Sequence, residues 1–298
     1  MKKRLFILIL NLILSLLTGC AATPQGISIA ATTLPVYEFT VRICQDTDIQ
    51  VTRLITENVS CLHDYTLQVG QMRQIEVADA VIISGAGLEE FLSDALTSVN
   101  AIDASAGIEL ICPDEEHDHH HEEDHHHEEG HHHDHDPHIW LSPVNAKAMA
   151  GNIRDSLSRL FPEYQQQFQS NCQILLDELD QLNDYAIKAL EDVSSRELIT
   201  FHDGFAYLAQ EYGLTVLEAV EEESGSEASA AELIRLIRLV QDHNLPAVFT
   251  EINGSDSAAN IIAAETGAKV YQLDMGMSGD SYFEAMYHNI DTLKEALQ

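Results

Sequence analysis

EYQQQFQSNCQILLDELDQLNDYAIKALEDV, residues 163–193, decides the architecture of this chain. It holds neither Gly nor Pro, and Leu175, Leu176, Leu179, Leu182, Ala186 and Leu190 recur along it at helical spacing. The spacing predicts one continuous helix, and about thirty residues of helix reach ~45 Å at 1.5 Å per residue. A helix of that length can cross from one domain to another.

Outward from it, both flanks show the same rhythm of short apolar runs and longer helical stretches. On the N-terminal side, ISIAATTL, DIQVTRLI, ADAVIISG (residues 78–85, ended by Gly85 and Gly87) and IELI (108–111) read as strands. PVYEFTVRICQD reads as a helix begun by Pro35, and a further helix opens with Ser142 as N-cap and Pro143 at its first position. On the C-terminal side, ELITF (197–201), LTVLEAV (214–220), PAVFTE (246–251) and AKVYQLD (268–274) are strands with helices between. Alternation of this kind implies parallel sheets built from βαβ units. The expected fold is α/β: two βα lobes with parallel sheets, 28–160 and 195–298, joined by one long rigid helix over 161–194. A single larger sheet is the competing arrangement.

The chain has 298 residues, of which 45% are hydrophobic, enough to bury real cores. Its net charge is -34, with only 15 Lys and Arg. Such a chain repels nucleic-acid phosphate and anionic lipid headgroups, so its natural counterparts are cations. At the N-terminus, Lys2, Lys3 and Arg4 precede the apolar run Leu5–Leu17, the pattern of a signal peptide over 1–19. The run is short for a membrane span of ~20 residues. Leu17-Thr18-Gly19-Cys20 resembles a bacterial lipobox, which would make Cys20 the lipid-bearing residue, 20–27 a tether, and the mature protein extracytoplasmic and anchored to the membrane. Of the remaining Cys44, Cys61, Cys112 and Cys172, none shows a C-x-x-C spacing. Cys44 with Cys61 is the favoured disulfide in an exported protein, with buried free thiols as the alternative.

Sixteen histidines fall into two sets. His117, His119, His120, His121, His125, His126, His127, His131, His132, His133 and His135 lie in an acidic insert, 114–136. They have no apolar neighbours to offset the entropy of ordering, so the insert reads as a disordered arm of weak accessory metal sites. The others sit at structured places. His63 follows the second strand, His138 stands in DPHIWLSP before the capped helix, and His202 in ELITFHDGF follows the first strand of the second lobe. His138 belongs to the fold, because Pro137 stiffens its approach and Ile139, Trp140 and Leu141 supply apolar packing. Asp274 ends the last strand. Ligands of open parallel sheets bind outside the carboxyl ends of the strands. A lone loop histidine is ordinarily a surface residue; the shared placement in both lobes is what points to a cleft. Three imidazoles and a carboxylate suit Zn²⁺ with its four N/O ligands at ~2.0–2.2 Å, and suit the oxygen-preferring Ca²⁺ and Mg²⁺ less.

TTLPVYEF, CLHDYTL, ADAVIISGAGLEEFL, the acidic-histidine insert before DPHIWLSP, TFHDGFAYLAQEYGL, VFTEINGSDSAANIIAAETGAKV and YQLDMG occur in that order. In these stretches, from about Ile27 to Gln298, the chain resembles the solute-binding lipoproteins of bacterial zinc and manganese ABC importers, the cluster A-I or zinc-uptake family. The resemblance implies a metal between two lobes linked by a long helix, with His63, His138, His202 and Asp274 as ligands. It implies a monomer that delivers its ion to an importer's membrane permease. Manganese-type members place a carboxylate where His202 stands, and an added imidazole moves the preference toward Zn²⁺ over Mn²⁺. The family's proline after the first ligand is absent here, where Leu67 and Gln68 follow.

Two rival functions compete with this one. A zinc hydrolase lacks support, because no H-E-x-x-H, G-x-S-x-G or P-loop occurs and four protein ligands would close the open position that catalysis needs. A surface storage or adhesion protein would explain the arm but not His63, His202 and Asp274 at strand ends. His243 and His288 read as surface residues. Glu251 reads either as a support for a metal ligand or as structural, and Glu221–Glu223 as a solvated loop or a face toward the permease.

Overall fold

Two four-stranded parallel sheets with the same strand order organise the protein, seen in a computed structural model that describes residues 26–57, 62, 65–112, 135–220, 228–277 and 279–298. In the first lobe β1 (Ser28–Ala31) leads through α1 (Leu34–Ile43) to β2 (Gln50–Arg53). From there α2 (Val69–Val77) leads to β3 (Ala80–Ile83), and α3 (Ser93–Leu96) to β4 (Ala101–Asp103). The order is β2-β1-β3-β4. Central strands β1 and β3 are almost wholly buried, as parallel strands covered on both faces must be.

After the 3₁₀ turn Ile139–Leu141 comes α4 (Pro143–Leu160), with Ser142 Oγ accepting from Asn145 N at 3.2 Å as its cap. The turn Pro162–Tyr164 then feeds α5 (Gln165–Leu190), 26 residues long. Its stripe of Phe168, Cys172, Leu175, Leu179, Leu182, Ala186 and Leu190 is buried, and Leu176 sits on its flank. The stripe packs on α1 and α4 of the first lobe and on the final helix of the second. Burying each such leucine contributes roughly 1.5–3 kcal/mol. Arg196 closes the far end of α5 by donating to the carbonyls of Leu190 and Glu191 at 3.1 and 2.8 Å, where a cation also favours the helix dipole.

The second lobe runs β5 (Glu197–Thr200), α6 (Ala206–Glu211), β6 (Thr215–Ala219), α7 (Ala230–His243) and β7 (Ala247–Glu251). It ends with α8 (Ser257–Thr266), β8 (Lys269–Leu273) and α9 (Tyr282–Ala296). Its order is β6-β5-β7-β8. Each lobe therefore reverses its strand order once, between β1 and β3 and between β5 and β7, and such switch points are where open α/β sheets form crevices. Among the described residues no helix is long and apolar enough to cross a membrane.

Two expectations are corrected. IELI is not a strand: the fourth strand is Ala101–Asp103, and the backbone of 108–111 is engaged elsewhere. Ile108 N donates to Ser105 O, Ile111 N to Tyr207 Oη across the lobes, and Ile111 O accepts from Asp136 N at 2.9 Å. Cys44 is a free, buried thiol, the alternative to the favoured pairing, and burial pushes its pKa up to about 12; Cys61 lies outside the described residues. At the tip of β3 the Gly85 expected to end the strand has φ +83°, and a Cβ there would lie 1.9 Å from Asp103 Oδ1.

Candidate metal centre

His138 and His202 approach from opposite lobes, Nε2 to Nε2 at 3.3 Å, with their rings edge to face. Each is held by its other nitrogen. His138 Nδ1 lies 2.7 Å from Asp136 Oδ1, which also accepts from the His138 backbone N–H at 2.8 Å. His202 Nδ1 lies 3.0 Å from Glu251 Oε1. A carboxylate at Nδ1 fixes the N–H there and leaves the Nε2 lone pair free, so two lone pairs face one gap.

Local structure explains the placement. Pro137, Ile139, Trp140 and Leu141 are buried around His138, itself 1% exposed. The Trp140 ring packs edge-on against His138, and its Nε1 donates to Met275 O at 2.7 Å in the second lobe. His202 follows β5 and Glu251 ends β7, so the pair straddles the switch point of the second sheet. Gly204 lets the elements close on one another: a Cβ there would stand 2.5 Å from Met275 Cε, 2.9 Å from His202 Cδ2 and 3.0 Å from His138 Nδ1.

The electrostatics call for a cation. Asp136 Oδ2 and Glu251 Oε2 are buried with no hydrogen-bond partner among the described residues. Buried carboxylate oxygens left this way are costly without a compensating positive charge. Burial of the His202 ring works against its imidazolium, but the hydrogen bond and charge of Glu251 outweigh it, aided by Asp203 and Asp136, and its pKa is raised. Asp274 directly follows β8, and burial raises its pKa although Gly276 N donates to its Oδ1 at 2.8 Å and His288 lies nearby.

Of the four expected ligands, the structure brings His138 and His202 together. Asp274 is the chain neighbour of Met275, whose carbonyl accepts from Trp140, and its own hydrogen-bond partners are Asn289 and Gly276. His63 lies outside the described residues, as do Cys20, Glu221–Glu223 and the arm histidines from His117 to His133. Among the described residues no three His, Cys, Asp or Glu side chains gather closely enough to hold a metal. His135, the last arm histidine, is described, with Nδ1 3.3 Å from Cys112 Sγ. His243 Nδ1 meets Glu197, and His288 Nε2 meets Gln272 O, both at exposed positions. Sequence reasoning left Glu251 open and missed Asp136, which it assigned to the insert. The signal was available: an Asp followed by a stiffening Pro stands two residues before a histidine.

Comparison with known proteins places the chain among relatives. The chain is 33% identical over 282 residues to the high-affinity zinc uptake system protein ZnuA of Bacillus subtilis, covering 90% of this chain and 87% of that one. It is 30% identical over 318 residues to the zinc-binding lipoprotein AdcA of Streptococcus pneumoniae, covering 98% of this chain. The chain spans between 55% and 61% of the length of its streptococcal AdcA relatives. A crystal structure of ZnuA superposes with a TM-score of 0.78 at 28% identity, over 92% of this chain and all of that one. With residues 29–296 matched by the family's model, the chain belongs to the ZnuA family, zinc-uptake complex component A, periplasmic.

Proposed function

We propose that this protein captures one Zn²⁺ between its lobes outside the cytoplasm and delivers it to the membrane permease of an ABC importer. His138, His202, His63 and Asp274 hold the ion, and catalysis has no part in it. The observation that carries the reading is the opposed imidazole pair. Two nitrogens bound to tetrahedral zinc at ~2.05 Å stand about 3.3 Å apart, and the two Nε2 atoms stand 3.3 Å apart. Carboxylates on both Nδ1 atoms are the usual outer support of zinc-bound histidines. Mn²⁺, which favours harder oxygen ligands, fits this pair less well.

Cys20 anchors the mature, monomeric protein to the membrane, a reading supported by the lipobox resemblance and by the pneumococcal relative's name as a lipoprotein. The arm histidines add weak sites that keep zinc at high effective concentration near His138. Calorimetry on purified mature protein tests the central claim. One tight Zn²⁺ equivalent is expected, retained after deletion of residues 115–134 and lost in His138→Ala and His202→Ala. A tight equivalent that vanishes with the arm and survives both substitutions would refute it.

A further inference from the structure

The segment carrying Asp274 belongs to the second lobe by chain, yet it is pinned to the first. Its carbonyls at Met275, Met277 and Gly279 all accept hydrogen bonds from first-lobe side chains. Trp140 Nε1 takes the first at 2.7 Å; Arg53 Nη2 and Nη1 take the others at 2.5 and 2.8 Å. Just beyond, Tyr282 N donates to Glu38 at 2.6 Å, and Tyr282 Oη to Trp140 O at 2.8 Å.

Trp140 and Tyr282 are fully buried members of the shared core and cannot leave without unfolding it. Arg53 differs. It sits at the carboxyl end of β2, only partly buried, and crosses between lobes to neutral carbonyls. Its Nε is buried without a partner among the described residues. Asp280, Glu57 and Tyr37 are the titratable groups whose charges act on it. A guanidinium held by two carbonyl bonds, each strengthened by the donor's charge yet reaching a neutral acceptor, is strong enough to close a loop and weak enough to reopen.

We infer that Arg53 is a positioning residue for metal retention: it latches Met277 and Gly279 to the opposite lobe, steadies the chain that follows Asp274, and must let go before the ion leaves. The inference rests on the reading of the site as a zinc carrier and adds to it the residue that sets the release rate. Arg53 touches neither imidazole; it acts through the loop. Lysine at this position can reach one carbonyl but not both, because it lacks the forked geometry.

Arg53→Ala, Arg53→Lys and wild type are compared by stopped-flow release of Zn²⁺ to an excess of chelator, and by amide hydrogen exchange of the metal-free proteins. For Arg53→Ala, release at least about tenfold faster is expected, as for loss of an outer support of a metal ligand. Arg53→Lys should be intermediate, association rates should stay within about twofold because the imidazoles are untouched, and exchange should quicken in 275–281 but not in α4 or α5. An unchanged release rate, or an unchanged loop exchange, overturns the latch. A merely structural role would speed exchange throughout the molecule instead, which also overturns it. If wild type retains no Zn²⁺, the zinc-carrier reading fails, and exchange in the metal-free proteins alone decides the latch.

Discussion

Asn289, fully buried on α9, grips the peptide groups on both sides of the Asp274 side chain: its Oδ1 accepts from Asp274 N and its Nδ2 donates to Asp274 O, each at 2.7 Å. A carboxylate at a strand end is thereby fixed by its backbone before any ion arrives. Asn289→Ala leaves both groups without a partner, at about 1–3 kcal/mol. The metal-free protein should melt earlier and zinc affinity should fall, by thermal denaturation and calorimetry. Unchanged affinity in a folded variant would separate Asp274 from the site.

Asp274→Asn should act in opposite directions on the two states. Burial raises the Asp274 pKa in the folded protein, so its contribution to stability is present below the unfolded value and is lost as pH rises through the folded one. At neutral pH the metal-free protein therefore carries an unfavourable charge that a bound cation relieves. The substitution should stabilise the metal-free form slightly, by less than about 1 kcal/mol after solvent screening, while weakening zinc binding. Melting curves with and without zinc check both signs.

Glu251→Gln keeps the shape at His202 but removes the charge that fixes its tautomer. Zinc affinity should drop about 10- to 100-fold. NMR titration of the metal-free protein should place the wild-type His202 above its ordinary value and the variant lower. Because the folded value is raised, proton binding at His202 stabilises the metal-free form at low pH, and that contribution is lost as pH rises through the folded value. Zinc retention runs the other way, failing as pH falls through the same range.

Gly204→Ala inserts a methyl 2.5 Å from Met275 Cε and 2.9 Å from His202 Cδ2, closer than real Cβ atoms come, and a tight 3.0 Å from His138 Nδ1. The lobes cannot close fully around it. Zinc affinity should fall at least about tenfold, or roughly 1.4 kcal/mol, with circular dichroism unchanged. Normal binding would mean that the imidazoles do not need their present approach.

His202→Glu exchanges an imidazole for a harder oxygen, and the zinc-to-manganese preference should shift toward Mn²⁺ in competition titrations. An unaltered ratio would take His202 out of the coordination sphere.

The long helix was legible because its leucines repeat with no breaker, and seven of the eight strands because each is an apolar run at a regular interval. β4 was not: Ala-Ile-Asp is three residues long and its pairing with β3 is set by neighbours distant in sequence. IELI misled because alternation alone does not reveal that Tyr207 and Asp136 claim its backbone. His138 and His202 stood out by their places at structured loops, and the structure brings their Nε2 atoms to 3.3 Å across the lobes. Asp136 was hidden by its charged surroundings, since eleven acidic residues between 114 and 136 make one buried carboxylate look like the rest. Arg53 could not be read at all, because its partners are carbonyls some 225 residues away, and main-chain oxygens leave no mark in a sequence.

The stripe of α5 has a thermodynamic consequence. One continuous core runs from Ile29 through Leu175 and Leu190 to Leu297, taking in side chains of both lobes. Neither lobe can shed its packing on that helix without exposing the other's, so heating should give a single calorimetric peak whose van't Hoff and measured enthalpies agree. An ion held at one point then protects the residues of that core together: at a free concentration a thousand times its dissociation constant it adds about 4.1 kcal/mol to their stability. Resistance to proteolysis along the core helices should therefore report, from far away, whether an ion is bound.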